Sequence, residues 1–258
     1  MRGLDIFRDR FKKYEGAFVL IGGAACDDWF ARQGLAFRPT KDLDIVLVVE
    51  VVDADFVSAL RNFVEDGGYR IRQRTEGSPI LCRFESPAND AFPKELELFS
   101  RQSEWAGLEG SKRIVPVQIE PEHHSLSAIL LDDRYYQLIR EHSEKQEGIA
   151  FATATALIPL KARAWLDHMA RKEAGEEVDS SNIKKHRTDV FALALTLPGE
   201  AGPALPESIR DDLRQFLEAF PGASAEWQAI LASLKSRFPA VPAPATLREA
   251  IQVFFSLS

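Results

Sequence analysis

Two aspartates one residue apart, Asp42 and Asp44, open an apolar run in a chain of 258 residues. In an extended strand alternate side chains share a face, so both carboxylates point the same way. Carboxylates that close repel unless a cation sits between them, and hard oxygen donors suit Mg²⁺ or Mn²⁺. Acid-x-acid also occurs at 53/55, 95/97, 120/122 and 177/179, so the spacing alone says little at this composition. Position singles out 42/44. Upstream lies a short apolar run, residues 17–21 (AFVLI), then Gly22-Gly23, then a helix-like segment over 24–33. A Gly-Gly turn lets backbone N–H groups approach an anion, and a following helix start adds a favourable dipole. Gly22 and Gly23 are therefore candidate phosphate contacts. A second acidic run, 94–100 (KELELFS), sets Glu95, Glu97 and Phe99 on one strand face. Glu97, or Glu95 in its place, is the candidate third carboxylate. Three convergent carboxylates are what a two-metal phosphoryl-transfer site needs.

The elements that must position these residues follow from periodicity. Leu4, Phe7, Phe11 and Tyr14 recur at helical spacing. Residues 43–52 (LDIVLVVEVV) read as a strand, and Asp53 as the N-cap of a helix through Phe56, Leu60, Phe63 and Val64 that Gly67-Gly68 ends. Residues 69–74, 80–85, 95–99 and 113–119 are strand-like, punctuated by Pro79, Pro87, Asn89 and Pro93. This predicts a mixed sheet of five or six strands. From 133 the character changes: helices are expected over 133–145, 157–172, 183–197, 209–220, 225–238 and 247–255, with a polar stretch at 173–182 and a Pro/Gly-rich loop at 198–206. The expected organisation is an α/β (α+β) domain, 1–125, followed by a helical domain, 126–258.

Composition narrows the classes. Apolar residues are 45% and charged residues 28%, ordinary for a globular protein, and the net charge is −7. That excludes coating nucleic acid through bulk positive charge, though not a local basic groove. The longest apolar run, 149–160, is broken by Thr153, Thr155 and Pro159 and falls short of the about 20 residues a bilayer span needs. Residues 1–14 are charged and helix-periodic, without a signal-peptide core. Cys26 and Cys82 sit in apolar contexts, which argues against a disulfide framework or a cysteine zinc site. The expected compartment is the cytoplasm. His123-His124 point apart and lack a third ligand nearby, so a structural or exposed role is expected. Trp29, Trp105, Trp165 and Trp227 show no base-stacking spacing.

The pattern resembles the DNA polymerase beta-like nucleotidyltransferase superfamily. Its signature is a glycine pair after a strand, a helix, Asp-x-Asp on the next strand and a third acid on a later strand. Ile21-Gly22-Gly23, followed by Arg38 and Thr40-Lys41-Asp42-Leu43-Asp44, is most similar to the AbiEii branch, the toxin component of AbiE-type toxin–antitoxin systems. That branch carries a lysine on a helix of its second domain, which Lys161 in Leu160-Lys161-Ala162-Arg163-Ala164 matches. It also carries an aspartate in a later basic helix, which Asp189 in Lys184-Lys185-His186-Arg187-Thr188-Asp189 matches. The likeness covers 17–50 and 155–195, and nothing beyond 200. There are two departures: the third acid is Glu where the superfamily has Asp, and the glycine pair is Gly-Gly where Gly-Ser is commoner.

The resemblance implies a nucleotidyltransferase-like mixed sheet with flanking helices and a helical C-terminal domain. It implies transfer of an NMP from an NTP to an acceptor hydroxyl, on tRNA or protein. Asp42, Asp44 and Glu97 would hold Mg²⁺ (or Mn²⁺), and Gly22, Gly23, Lys41 and Lys161 would hold the triphosphate. Asp189 would orient Lys161 or the substrate. Arg38 and Lys41 flank the acids and would meet phosphate or an RNA backbone. A toxin role would imply a cognate antitoxin. The basic run 184–187 is either a solvated face or a docking site for RNA or triphosphate. Two other functions fit the same residues: a small-molecule nucleotidyltransferase of the aminoglycoside type, and a binding module without turnover.

Overall fold

The computed structural model describes residues 1–73, 79–101, 114–116 and 127–257. Trp105, His123, His124 and the acid pair at 120/122 lie outside them. The chain forms two compact units, Met1–Asp28 with Pro39–Ala152, and Trp29–Arg38 with Thr153–Ser258. The sequence had placed the division at 125/126.

The first unit is built on a nine-stranded mixed sheet. In chain order it carries α1 (Leu4–Phe11), β1 (Phe18–Ile21), the start of α2 (Gly22–Ala31), β2 (Asp42–Leu47), α3 (Ala54–Gly67), β3 (Arg70–Gln73), β4 (Pro79–Glu85), β5 (Glu95–Arg101), β6 (Ile114–Pro116), β7 (Ser127–Leu131), α4 (Asp133–Glu141), β8 (Ser143–Gln146) and β9 (Ile149–Ala152). The strand order is β3-β4-β5-β2-β1-β9-β8, with β7 pairing β5 and β6 pairing β7. β1 runs antiparallel to β2, β2 parallel to β5, and β5 antiparallel to β4.

One face of the central strands is core. Leu43, Ile45, Leu96 and Leu98 are fully buried, and Asp42, Asp44, Glu95 and Glu97 alternate with them on the other face. A one-residue slip would drive the acids into the core, so the apolar residues pin the acids' register. Beneath α1 and α3, rings of Phe7, Phe11, Phe18, Phe56 and Phe63 interlock, Phe7 on Phe11 at 4.4 Å and Phe7 edge-on to Phe63 at 5.6 Å. Such pairs add about 0.5–1.5 kcal/mol beyond their buried area. Asp53 caps α3 as its residue type predicts, accepting from Phe56 N at 2.8 Å. Gly68 ends that helix in the left-handed region, φ 61°.

Three elements differ from the expectation. Gly22 and Gly23 are not a turn before α2 but its first two residues. β2 stops at Leu47, because Val51 N and Val52 N turn back to Val48 O. The helix expected to reach 145 stops at Glu141, and β8 and β9 form a hairpin across Glu147-Gly148, both at positive φ. A two-residue turn of that kind matches strand twist, and β9 then pairs with β1.

The second unit is helical: α5 (Ala154–Glu173), α6 (Ser180–Ala194), α7 (Glu207–Glu218), α8 (Glu226–Lys235) and α9 (Pro244–Phe254). α5 packs on α6 and α7, and α6 on α8 and α9. Pro159 lies inside α5 and does not break it. Residues 29–38 are tied into this unit by their aromatics. Trp29 Nε1 donates to Thr196 Oγ1 at 2.8 Å, and Phe30 stacks on Phe37 and packs against Phe238. A mixed α/β sheet with flanking helices, then a helical region, is the fold class the sequence predicts. Among the described residues, no helix is long and apolar enough to cross a membrane.

Candidate functional site

The acids of the first unit are gathered by strand pairing. Parallel register sets Asp42 beside Glu95 and Asp44 beside Glu97. Partners in a ladder share a face, so two acid-x-acid motifs 53 positions apart become one patch of four carboxylates. On the other side of β2, Asp44 is opposite Ile21, the last residue of β1, and α2 begins at the next residue. The patch therefore lies where β1 ends and β2 and β5 begin.

The glycine pair is needed there for steric reasons. Gly22 has φ 63°, a conformation that costs an L side chain roughly 1–2 kcal/mol. A Cβ on Gly22 would also overlap the carboxylate of Asp44, and one on Gly23 would overlap Oγ1 of Thr40. Both glycines thus make room for side chains of this same chain. Lys41 is exposed beside Asp42 in sequence, and its carbonyl accepts from Lys94 N at 2.9 Å, which ties the starts of β2 and β5 together.

Burial and like charges act together on Glu95. Burial raises its pKa most, Arg83 lowers it, and the charges of Asp42, Glu97 and Glu85 raise it further, for a net upward shift. Desolvation disfavours the charged form of a carboxylate, and neighbouring carboxylates add to it. The antiparallel β4–β5 pairing brings in one compensating cation: Arg83 is opposite Glu97. Its Nε donates to Glu95 Oε1 at 2.8 Å and its Nη2 to Glu97 Oε1 at 2.6 Å.

This geometry tests the expected metal set. Asp42 and Asp44 present two hard carboxylates on one strand face, the donor type a divalent cation takes. Glu97 and Glu95, the alternatives for the third carboxylate, each give one oxygen to the Arg83 guanidinium. Among the described residues, no group of three or more His, Cys, Asp or Glu is placed to hold a metal ion.

Lys161 and Asp189 belong to the second unit, and they are paired. Lys161 Nζ donates to Asp189 Oδ2 at 2.9 Å, with both side chains buried. Arg38 completes the group with a two-pronged contact, Nε to Oδ1 at 3.0 Å and Nη2 to Oδ2 at 2.8 Å. Bidentate charge-assisted bonds of this kind are the strong ones. Burial alone would raise the Asp189 pKa, but Lys161 and Arg38 overcome it and hold the carboxyl at about 2. Lys185, one turn before Asp189 on α6, contacts Asn182. Arg38, expected to flank the acids as a phosphate contact, is engaged by Asp189.

Beside this group His186 packs on His168, ring centroids 5.3 Å apart, with its Nδ1 buried and without a hydrogen-bond partner. Burial pushes the His186 pKa down first, and the positive fields of Lys161, His168 and Arg38 push it further, to about 3. The ring is neutral at pH 7.

The sequence did not single out Arg83, and the structure places Arg38 elsewhere than its position in the sequence suggests. Arg83 carries no motif, and its role comes from the β4–β5 hairpin centred near Asn89-Asp90. The turn residues signal that hairpin, and counting out from them would have set Arg83 against Glu97. Arg38 was noticed for its nearness in sequence to Asp42, whereas the Phe30–Phe37 stack assigns it to the helical unit.

No family model matches the chain, and no curated protein does. A crystal structure of an antigenic nucleotidyltransferase-like protein from Paracoccidioides brasiliensis is similar in fold over 97% of this chain and 90% of that chain, at 14% identity and a TM-score of 0.41. A likeness that distant carries nothing about function.

Proposed function

We propose that this protein is a nucleotidyltransferase that moves an NMP from an NTP to an acceptor hydroxyl. One observation carries the proposal: the register that joins Asp42 and Asp44 to Glu95 and Glu97 on one strand face, against the glycine start of α2. Asp42 and Asp44 would hold Mg²⁺ (or Mn²⁺), which when bound neutralises charge on the phosphates. Gly22 and Gly23, with the N–H groups of the first turn of α2, are proposed to face the triphosphate, with Lys41 as an exposed cation nearby. Lys161 is proposed as a further phosphate contact, held in one rotamer by Asp189. The acceptor oxygen would form a bond to the α-phosphorus while the bond to the leaving pyrophosphate breaks. A carboxylate of the acid face would take the hydroxyl proton. Positioning and charge neutralisation do most of the work in such transfers.

By resemblance to the AbiEii branch, the acceptor is the 3′ end of tRNA or a protein hydroxyl, and the setting is a toxin–antitoxin pair in the cytoplasm. A second reading is favoured by Arg83, which engages the expected third carboxylate: metal-dependent nucleotide binding without turnover. An aminoglycoside-type acceptor is the third.

One experiment separates these. The protein is incubated with Mg²⁺, each α-labelled NTP in turn and total tRNA, beside an Asp42→Ala/Asp44→Ala control. Label in tRNA, absent in the control, supports the proposal and identifies donor and acceptor. Label in protein keeps the reaction and changes the acceptor. Aminoglycoside in place of tRNA tests the third reading. Nucleotide binding with no label in any acceptor overturns transfer in favour of the binding module.

A further inference from the structure

In the helical unit two guanidiniums share one aromatic bed. Arg237, just after α8, lies over two rings, its Cζ 5.8 Å from the centroid of Phe37 and 5.4 Å from that of Phe238. Arg38 lies over Phe37 as well, at 5.2 Å. Phe37 stacks on Phe30, and Phe30 packs against Phe238, so one cluster carries both cations. Their partners differ. Arg38 engages both oxygens of Asp189, and Lys161 shares Oδ2. Arg237 donates through Nε to the neutral carbonyl of Ser233 at 3.3 Å. Its Nη1 is buried with no hydrogen-bond partner among the described residues, where Arg237 also forms no ion pair. Arg8, Arg187 and Arg210 each leave a buried nitrogen unmet too, but each holds a carboxylate, of Asp5, Glu226 and Glu207. Burial pulls the Arg237 pKa down, and the nearby charge of Asp189 opposes that pull. A guanidinium keeps its proton at any working pH, so the charge stays. Water can satisfy the N–H but not the charge, whereas an anion meets both. Arg237 is partly exposed, so an anion reaches it from solvent.

We propose that Arg237 anchors a phosphate-binding site within the helical unit, its guanidinium held on the rings of Phe37 and Phe238. A phosphate group brings more than one negative charge and several acceptor oxygens, and it matches the planar guanidinium fork. The ring faces favour the cation without neutralising it, which leaves the charge for the ligand. All of these residues belong to the second unit. The inference goes beyond the nucleotidyl-transfer reading, because it uses no residue of the acid face. Two kinds of ligand carry such a group, a nucleoside triphosphate and an RNA backbone, and the test separates them.

The test titrates the whole protein by calorimetry, without divalent metal, with pyrophosphate and separately with a short single-stranded RNA. Arg237→Gln is expected to weaken at least one of them by about tenfold or more, the scale of a lost charge-assisted hydrogen bond. Lys235→Gln removes the same charge from an exposed position two residues away, and should change neither by more than about twofold. A larger loss for pyrophosphate assigns the phosphate to a triphosphate, and a larger loss for RNA assigns it to a nucleic-acid backbone. Equal losses in the two variants, or a wild-type chain that binds neither ligand, overturns the inference. Acetate binding as tightly as pyrophosphate overturns the choice of phosphate. Should Arg237→Gln fail to fold, Arg237→Lys keeps the charge and loses only the fork. It also identifies, by its loss, the Nε–H signal of Arg237 in the NMR spectrum of the wild type. That signal should shift saturably with pyrophosphate or RNA, and a signal that neither ligand moves overturns the inference. Both readouts need no metal and no turnover, so their failure leaves nucleotidyl transfer standing.

Discussion

The sheet unit and the helical unit each gather charge, the first as a row of carboxylates and the second around a single buried one. In the sheet unit Asp42, Asp44, Glu95 and Glu97 line one face with the guanidinium of Arg83 against two of them. In the helical unit Arg38 and Lys161 close on the carboxylate of Asp189. Exposure differs in the same sense. Asp42 is exposed, whereas the Asp189 side chain is 1% exposed. The Asp189 group is buried, so breaking it should be felt in stability. The acid face begins at the exposed Asp42, so altering it should be felt in binding and turnover.

The largest effect should come from the buried group. Asp189→Ala leaves Lys161 and Arg38 with positive charge and no carboxylate between them. Removing one partner of a buried pair costs about 3–5 kcal/mol. Urea denaturation should show a loss of that size, and a loss below 1 kcal/mol would mean that the group relaxes into solvent. Asp42→Ala/Asp44→Ala should do the reverse. Removing carboxylates from a crowded face should leave the urea midpoint unchanged or raised. NMP transfer should drop by at least about 10²–10³-fold, the range for losing a group that stabilises transition-state charge. A double variant that unfolds instead would break the contrast.

Gly22→Ala tests the hinge between backbone and chemistry. The new methyl meets the Asp44 carboxylate and sits at φ 63°. Strain and overlap together should cost about 2 kcal/mol of stability. Mn²⁺ affinity should fall in the same variant because Asp44 must move. Gly16, also at positive φ but with open space around it, supplies the control: Gly16→Ala carries the backbone strain with no carboxylate to displace.

Local chemistry was legible in the sequence where a residue's role depends on near neighbours. Asp53 as a cap, Gly68 as a helix stop and Asp42/Asp44 on one strand face all follow from positions within four residues. What was hidden depends on pairing across the fold. The glycine pair read as a turn and proved to be the start of α2, since the carboxylate that demands it comes from the next strand. Strand β9 was hidden inside an apolar run shared with α5, and β8 at the end of a segment expected as helix; pairing with β1 separates strand from helix there. Arg83 is the sharpest case, because nothing near it in sequence distinguishes it from an ordinary solvated strand arginine.

The two regions also predict a pair of opposed pH slopes. Burial holds His186 at about 3 in the folded chain, below its ordinary value of 6.5. Between those values the unfolded chain binds the extra proton, so stability rises with pH by about 1.4 kcal/mol per unit for one proton. That contribution is fully present above pH 6.5 and is lost as pH falls toward 3. Glu95 runs the other way. Its folded pKa is raised above 4.5, so the folded chain holds the extra proton just above that pH, and stability falls as pH rises through the window. Urea midpoints at half-unit steps from pH 4.5 to 6.5 resolve the two. His186→Gln should flatten the curve across the whole range. Glu95→Gln should steepen it only at the acid end, where the sheet unit's proton would have opposed the helical unit's. Both variants shifting the slope in the same direction would mean that Glu95 and His186 are not shifted in opposite senses, and the contrast between the two regions would fall with it.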